Sequence, residues 1–173
     1  MKRYLALVIA GTLAGTVAVA QDMKQAQGTF MDADGNELGT VTLMETAHGT
    51  LVDIDVENVP AGEHGFHLHE TGKCDAPDFK SAGGHFNPTG NEHGYKAEGG
   101  AHSGDLPNQF VQDDGVMRAQ VLKPDISMTE GEDGYVFDED GTAVIIHAGA
   151  DDYESQPSGD AGGRFACAVL ESQ

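Results

Sequence analysis

The chain has 173 residues, with 29 Asp plus Glu against nine Lys plus Arg and a formal charge of −20. That balance argues against nucleic acid and anionic membrane surfaces as partners. The length suits a single domain with a real core.

The first segment stands apart. "MKRYLALVIAGTLAGTVAVA" opens with Lys2 and Arg3, runs apolar to Val19 and ends Ala18-Val19-Ala20. This charged, apolar, small-residue order predicts a secretory signal peptide over 1–20, leaving a domain of residues 21–173. As a membrane anchor the segment is marginal in length and interrupted by Gly11, Thr12, Gly15 and Thr16, so no anchor is expected after cleavage. Without Lys2 and Arg3, seven basic residues face 29 acidic ones, a charge of −22. An exported chain meets an oxidising compartment, so Cys74 and Cys167 are expected to form a disulfide.

Strand signals follow. "TVTLMET" (40–46) alternates polar and apolar residues, and "GTLVDIDVENV" (49–59) does so with Leu51, Ile54, Val56 and Val59 nearly on one face. "GVMRAQVL" (115–122), "GTAVIIHA" (141–148) and "RFACAVL" (164–170) are further β-branched or apolar runs. Asp34-Gly35 and Asp140-Gly141 are turn dipeptides. "DADGNELG" (32–39) has the look of a calcium loop, but Glu37 stands where glycine is needed and Leu43 where the closing glutamate belongs; it reads as a hairpin. The expected fold is all-β, about eight strands in a sandwich or flattened Greek-key barrel.

Residues 70 to about 108 and 149–163 do not fit this pattern: both are rich in Gly, Asp and Pro and lack strand periodicity. Loops this long need a functional reason or an external tie. Histidine supplies one, since six of the eight lie between residues 64 and 102. On a strand, His67 and His69 of "HGFHLHE" would leave the same face and converge on one ion. His85, His93, His102 and Asp105 follow in the first loop, and His147 ends the run "AVII". These nitrogen and carboxylate donors suit copper and zinc better than calcium or an iron–sulfur cluster. Metal binding would then order the loop, because its free energy becomes folding free energy.

The motifs "GFHLHE", "GGHFNP", "HSGDLPN", "IIHAGADD" and "GGRFACAVL" resemble copper/zinc superoxide dismutase in its exported bacterial form, in the family's order and across nearly all of residues 21–173. The resemblance implies dismutation of superoxide to oxygen and hydrogen peroxide. It implies copper held by His67, His69, His85 and His147, and zinc held by His85, His93, His102 and Asp105, with His85 bridging. It further implies Asp151 as the carboxylate that orients one ligand of each metal, Arg164 as the guanidinium above copper, and Cys74 bonded to Cys167. Arg164 and His85 are thus the candidate catalytic residues, His85 also as a proton carrier. His64 is expected to be packed and hydrogen-bonded, His48 exposed, and Asp152 a solvated loop charge.

The substrate is an anion and the chain is acidic, so a local field has to outweigh the net charge. Lys73, Lys80 and Lys96 lie in the ligand-bearing loop and are candidates for guiding superoxide; the 149–163 loop has no lysine, unlike the steering loop of the family's eukaryotic members. The resemblance also implies a periplasmic location, and a monomer or homodimer. The alternative reading is a non-enzymatic periplasmic copper/zinc-binding protein on the same fold.

Overall fold

A computed structural model describes residues 24–173; the expected signal peptide and its cleavage point lie outside them. The strands are β1 (Gln25–Asp32), β2 (Glu37–Thr46), β3 (Gly49–Val56), β4 (Gly62–His69), β5 (Asp105–Val111), β6 (Met117–Lys123), β7 (Ala143–His147), β8 (Arg164–Val169) and the two-residue β9 (Glu171–Ser172). Among the described residues a single 3₁₀ turn is present, over Lys80–Ala82. Among the described residues no helix is long and apolar enough to cross a membrane.

All ladders between strands are antiparallel, in the order β5-β4-β7-β8-β1-β2-β3-β6, with β9 on β1. The sheet curls into a nearly closed barrel. β5 and β6 stand at the two ends of this order and are joined by the short connection 112–116. The expected hairpin at Asp34-Gly35 joins β1 to β2: the Asp32 carboxylate accepts the N–H groups of Asp34 and Asn36, and Gly35 adopts φ +84°.

Inside the barrel, alternate side chains of each strand make the core, including Phe30, Leu43, Val52, Ile54, Phe66, Leu68, Leu106, Val144 and Ile146. β3 corrects the expected face: Thr50, Val52, Ile54 and Val56 point inward, while Leu51 lies on the other side and Val59 is buried beyond the strand. The first irregular segment is shorter than expected, because residues 105–108 already belong to β5. A third long irregular connection, residues 124–142, was not anticipated.

The strands that matter for the site are buried on both faces. β4 sends Phe66 and Leu68 into the barrel and His67 and His69 outward, and every one of these four is at most 1 % exposed. β7 divides similarly: Val144 and Ile146 join the main core, whereas Ala143 and Ile145 meet Phe79, Ala82 and Cys167 in a second, smaller cluster outside the barrel wall. The 70–104 segment covers that outer face. Period-two alternation thus gives one strand two jobs, a core face and a ligand face.

Candidate metal centre

The covering segment is anchored where it passes β4. The N–H of Glu70 donates to Gly84 O, that of Phe86 to Leu68 O, and that of Leu68 to Gly104 O, which sets His85 beside His69. Gly104 is required here: a Cβ would stand 2.4 Å from Leu68 O. Cys74 and Cys167 are disulfide-bonded, with Cα atoms 5.7 Å apart, so the segment is also tied to β8.

Two buried donor groups result. His67, His69, His85 and His147 each offer a nitrogen, and these atoms lie within 4.8 Å of one another; His85, His93, His102 and Asp105 do the same. The members come from β4, β5, the end of β7 and the irregular segment, and His85 belongs to both groups. The sequence had named all seven.

Hydrogen bonds fix which ring atom faces inward. His67 Nε2 donates to Asp151 Oδ2 at 2.7 Å, and His69 Nδ1 to Gly83 O at 3.1 Å. Their other nitrogens, His67 Nδ1 and His69 Nε2, are buried without a partner, as are His85 Nε2 and both ring nitrogens of His147. Such unpaired buried nitrogens are expensive unless something electropositive sits between them. In the second group, Asp105 Oδ2 is occupied by the N–H groups of Gly94 and His102, whereas Oδ1 has His85 Nδ1 at 2.8 Å, His93 Nδ1 at 3.1 Å and His102 Nδ1 at 3.3 Å. Three δ nitrogens crowd one oxygen. Nitrogen-rich groups of four with one shared imidazole fit copper and zinc, and the absence of any thiolate argues against iron–sulfur chemistry.

Charge follows geometry. Burial holds His67 down to about 4 against the opposing Asp151 hydrogen bond, lowers His147 to about 3, and keeps His69 well below its ordinary 6.5. These rings are neutral near pH 7, as metal ligands must be. Burial also pulls on His93, but hydrogen bonds to Asp105 and Asp151 prevail and raise it to about 9. For Asp105 and Asp151, burial is outweighed by hydrogen bonds from the histidines, and both carboxyls sit far below the usual range.

Asp151 spans both groups: Oδ2 takes His67 Nε2–H and Oδ1 takes His93 Nε2–H at 3.0 Å. Asn108, which is not among the expected site residues, holds it there. Its Oδ1 accepts the Asp151 N–H and its Nδ2 donates to the Asp151 carbonyl. Gly159, at φ +71°, packs so close that a Cβ would stand 1.9 Å from Asp151 Oδ1. Asp152 is exposed and caps its own loop, as expected of a solvated charge.

Arg164 donates from Nη1 to Phe79 O at 2.6 Å and from Nη2 to Gly83 O, the carbonyl that also receives His69. No carboxylate lies within ion-pair distance of it among the described residues, so the surface salt bridge that a lone arginine usually makes is absent. The guanidinium shares a cleft of about 430 Å³ with His69, His85 and His147. It makes no direct ion pair there, although Glu70 lines the same cleft and the Asp78 carboxylate acts on it at longer range. His64 is packed as expected, its ring facing the carbonyls of His147 and Pro60, and His48 is exposed.

Residues 37–170 match the family model for copper/zinc superoxide dismutase. The chain belongs to this family. It is 42 % identical over 168 residues to superoxide dismutase [Cu-Zn] 2 of Aquifex aeolicus, covering 94 % of this chain and 98 % of the relative. A SOD-like protein from Bacillus subtilis superposes with a TM-score of 0.81 at 39 % identity, over 84 % of this chain and 97 % of that one. The Cu/Zn superoxide dismutase of Brucella abortus superposes with a TM-score of 0.69 at 30 % identity, over 85 % and 99 %. The all-β barrel, the disulfide and the histidine-rich centre are therefore read against superoxide dismutases.

Proposed function

We propose that the chain is an exported superoxide dismutase, with copper held by His67, His69, His85 and His147 and zinc by His85, His93, His102 and Asp105. When bound, copper supplies the one-electron couple that oxidises one superoxide to oxygen and reduces a second, with two protons, to hydrogen peroxide, while zinc supplies fixed positive charge. The protein's part is positioning. Asp151 takes the Nε2–H of His67 and of His93, so each presents Nδ1 inward. His85 Nε2 has no protein partner and is placed to take up and release a proton. Arg164, in ion-pair contact with no carboxylate among the described residues, docks the small anion in the cleft beside the copper group.

The observation that carries this reading is the convergence of unpaired buried nitrogens on one point and of three δ nitrogens on one carboxylate oxygen at a second, with the ring of His85 shared between them. The test is metal analysis with a dismutase assay on the loaded protein. Wild type should hold one copper and one zinc and turn over superoxide. Arg164→Ala should keep both metals and lose about ten- to a hundredfold in rate, the size of a hydrogen bond to a charged group. A loaded wild type without turnover would leave the non-enzymatic metal-binding reading in its place.

A leader over 1–20, cleavage before Gln21 and a periplasmic destination complete the proposal, supported by the sequence order of that segment and by the disulfide. Lys73, Lys80 and Lys96 are proposed to guide superoxide from outside the cleft. All three are exposed and none lines it; Lys80 Nζ pairs with Asp78, and Lys96 Nζ donates to Asp152 O.

A further inference from the structure

The second donor group is held unevenly. Asp105 opens β5, His102 donates its N–H to Asp105 Oδ2, and His85 is pinned against β4 through the Phe86 N–H. His93 lies on the part of the irregular segment that pairs with no strand. Its own N–H and carbonyl are bonded to one side chain from the 149–163 loop, while the next N–H, that of Gly94, goes to Asp105 Oδ2. The His93 N–H donates to Gln156 Oε1 at 2.9 Å, and Gln156 Nε2 donates to the His93 carbonyl at 2.9 Å. The same amide donates to Glu154 O at 3.1 Å, which fixes the Gln156 side chain to its own loop.

We propose that Gln156 is a positioning residue for the zinc group, clamping His93 so that its Nδ1 stays among the donors; this rests on the zinc assignment made above. The reason lies in which nitrogen is used. His93 Nε2 is committed to Asp151, so the donor is Nδ1, the ring nitrogen nearer the backbone. A donor close to the main chain follows main-chain displacement directly, with little side-chain reach to compensate. The residues after Gln156, Pro157 and Ser158, line the cleft that contains Arg164. One amide therefore joins zinc retention to the wall of the anion cleft.

The test compares wild type with Gln156→Met, which keeps the length and removes all three hydrogen bonds, two of them to His93, and with Gln156→Glu, which keeps the acceptor for the His93 N–H. Three readouts are taken: zinc transfer from the copper/zinc protein to a chromogenic chelator, the visible spectrum of cobalt(II) placed in the zinc site, and the melting midpoint of the metal-free protein. Gln156→Met should release zinc roughly tenfold faster, the size expected of two solvent-shared hydrogen bonds, with shifted cobalt bands and an unchanged metal-free midpoint. Gln156→Glu should fall between. Zinc release equal to wild type overturns the proposal, as does faster release matched by an equal loss of metal-free stability, which would mark a merely structural contact. A wild type that takes up no zinc at this site would instead overturn the ligand assignment itself.

Discussion

Three δ nitrogens around one carboxylate oxygen, and five unpaired ring nitrogens a few ångströms away, make the metal-free protein sensitive to acid. In the unfolded chain His67, His69 and His147 take up protons near 6.5; folded, His67 and His147 wait until about 4 and 3. The unfolded state binds more protons across that interval, so stability falls as pH drops from 6.5. His93 has the opposite sign. Raised to about 9, its contribution is complete below 6.5 and fades as pH climbs through 9, so it cannot offset the acid side. Calorimetry of the metal-free protein should therefore show the melting midpoint declining from pH 6.5 to 4; a flat profile there would contradict buried neutral rings. Asp151→Asn replaces an acceptor of two imidazole N–H groups with an amide that can satisfy only part of that role. It should weaken metal retention by about ten- to a hundredfold, measured by chelator competition.

At the scale of elements, how legible the chain was depended on whether the signal was chemical or conformational. Histidine two apart on β4, followed by five more donors, is a chemical signal and led to every member of both groups. Asn108 and Gln156 left none, because an amide on a short polar strand or in a loop looks like its neighbours until its partner is known. β1 was hidden for another reason: its inward residues are Ala26, Gly28 and Phe30, two of them too small to register as apolar alternation. β3 was found but its face was misread, since Thr50 occupies an inward position that hydropathy alone gives to Leu51. β5 was partly absorbed into the loop before it because Asp105 is both a donor and the first residue of the strand. The disulfide acts at this scale too, closing a separation of 93 residues and holding the covering segment against β8 three residues beyond Arg164. Cys74→Ser with Cys167→Ser should lower unfolding stability by about 4 kcal/mol in denaturant titration, with the loss largest in protection of the 70–104 amides from hydrogen exchange.

For the molecule as a whole, a formal charge of −20 repels an anionic substrate, and the cleft has to overcome that repulsion locally. Arg164 is the cation inside it among the described residues; Lys73, Lys80 and Lys96 are exposed and lie outside it. Replacing the three lysines with glutamine should lower the second-order rate at low ionic strength and leave it nearly unchanged at high salt, where the field beyond about 10 Å is screened. Equal rates for triple variant and wild type at low salt would remove them from the encounter. The shared ring of His85 has a thermodynamic corollary at the same scale. Because its two nitrogens belong to different donor groups, occupancy of either place alters the free energy of filling the other, and linkage makes that influence reciprocal. The factor by which copper changes the zinc dissociation constant must equal the factor by which zinc changes that of copper, so one pair of titrations forecasts the other whatever the order of loading.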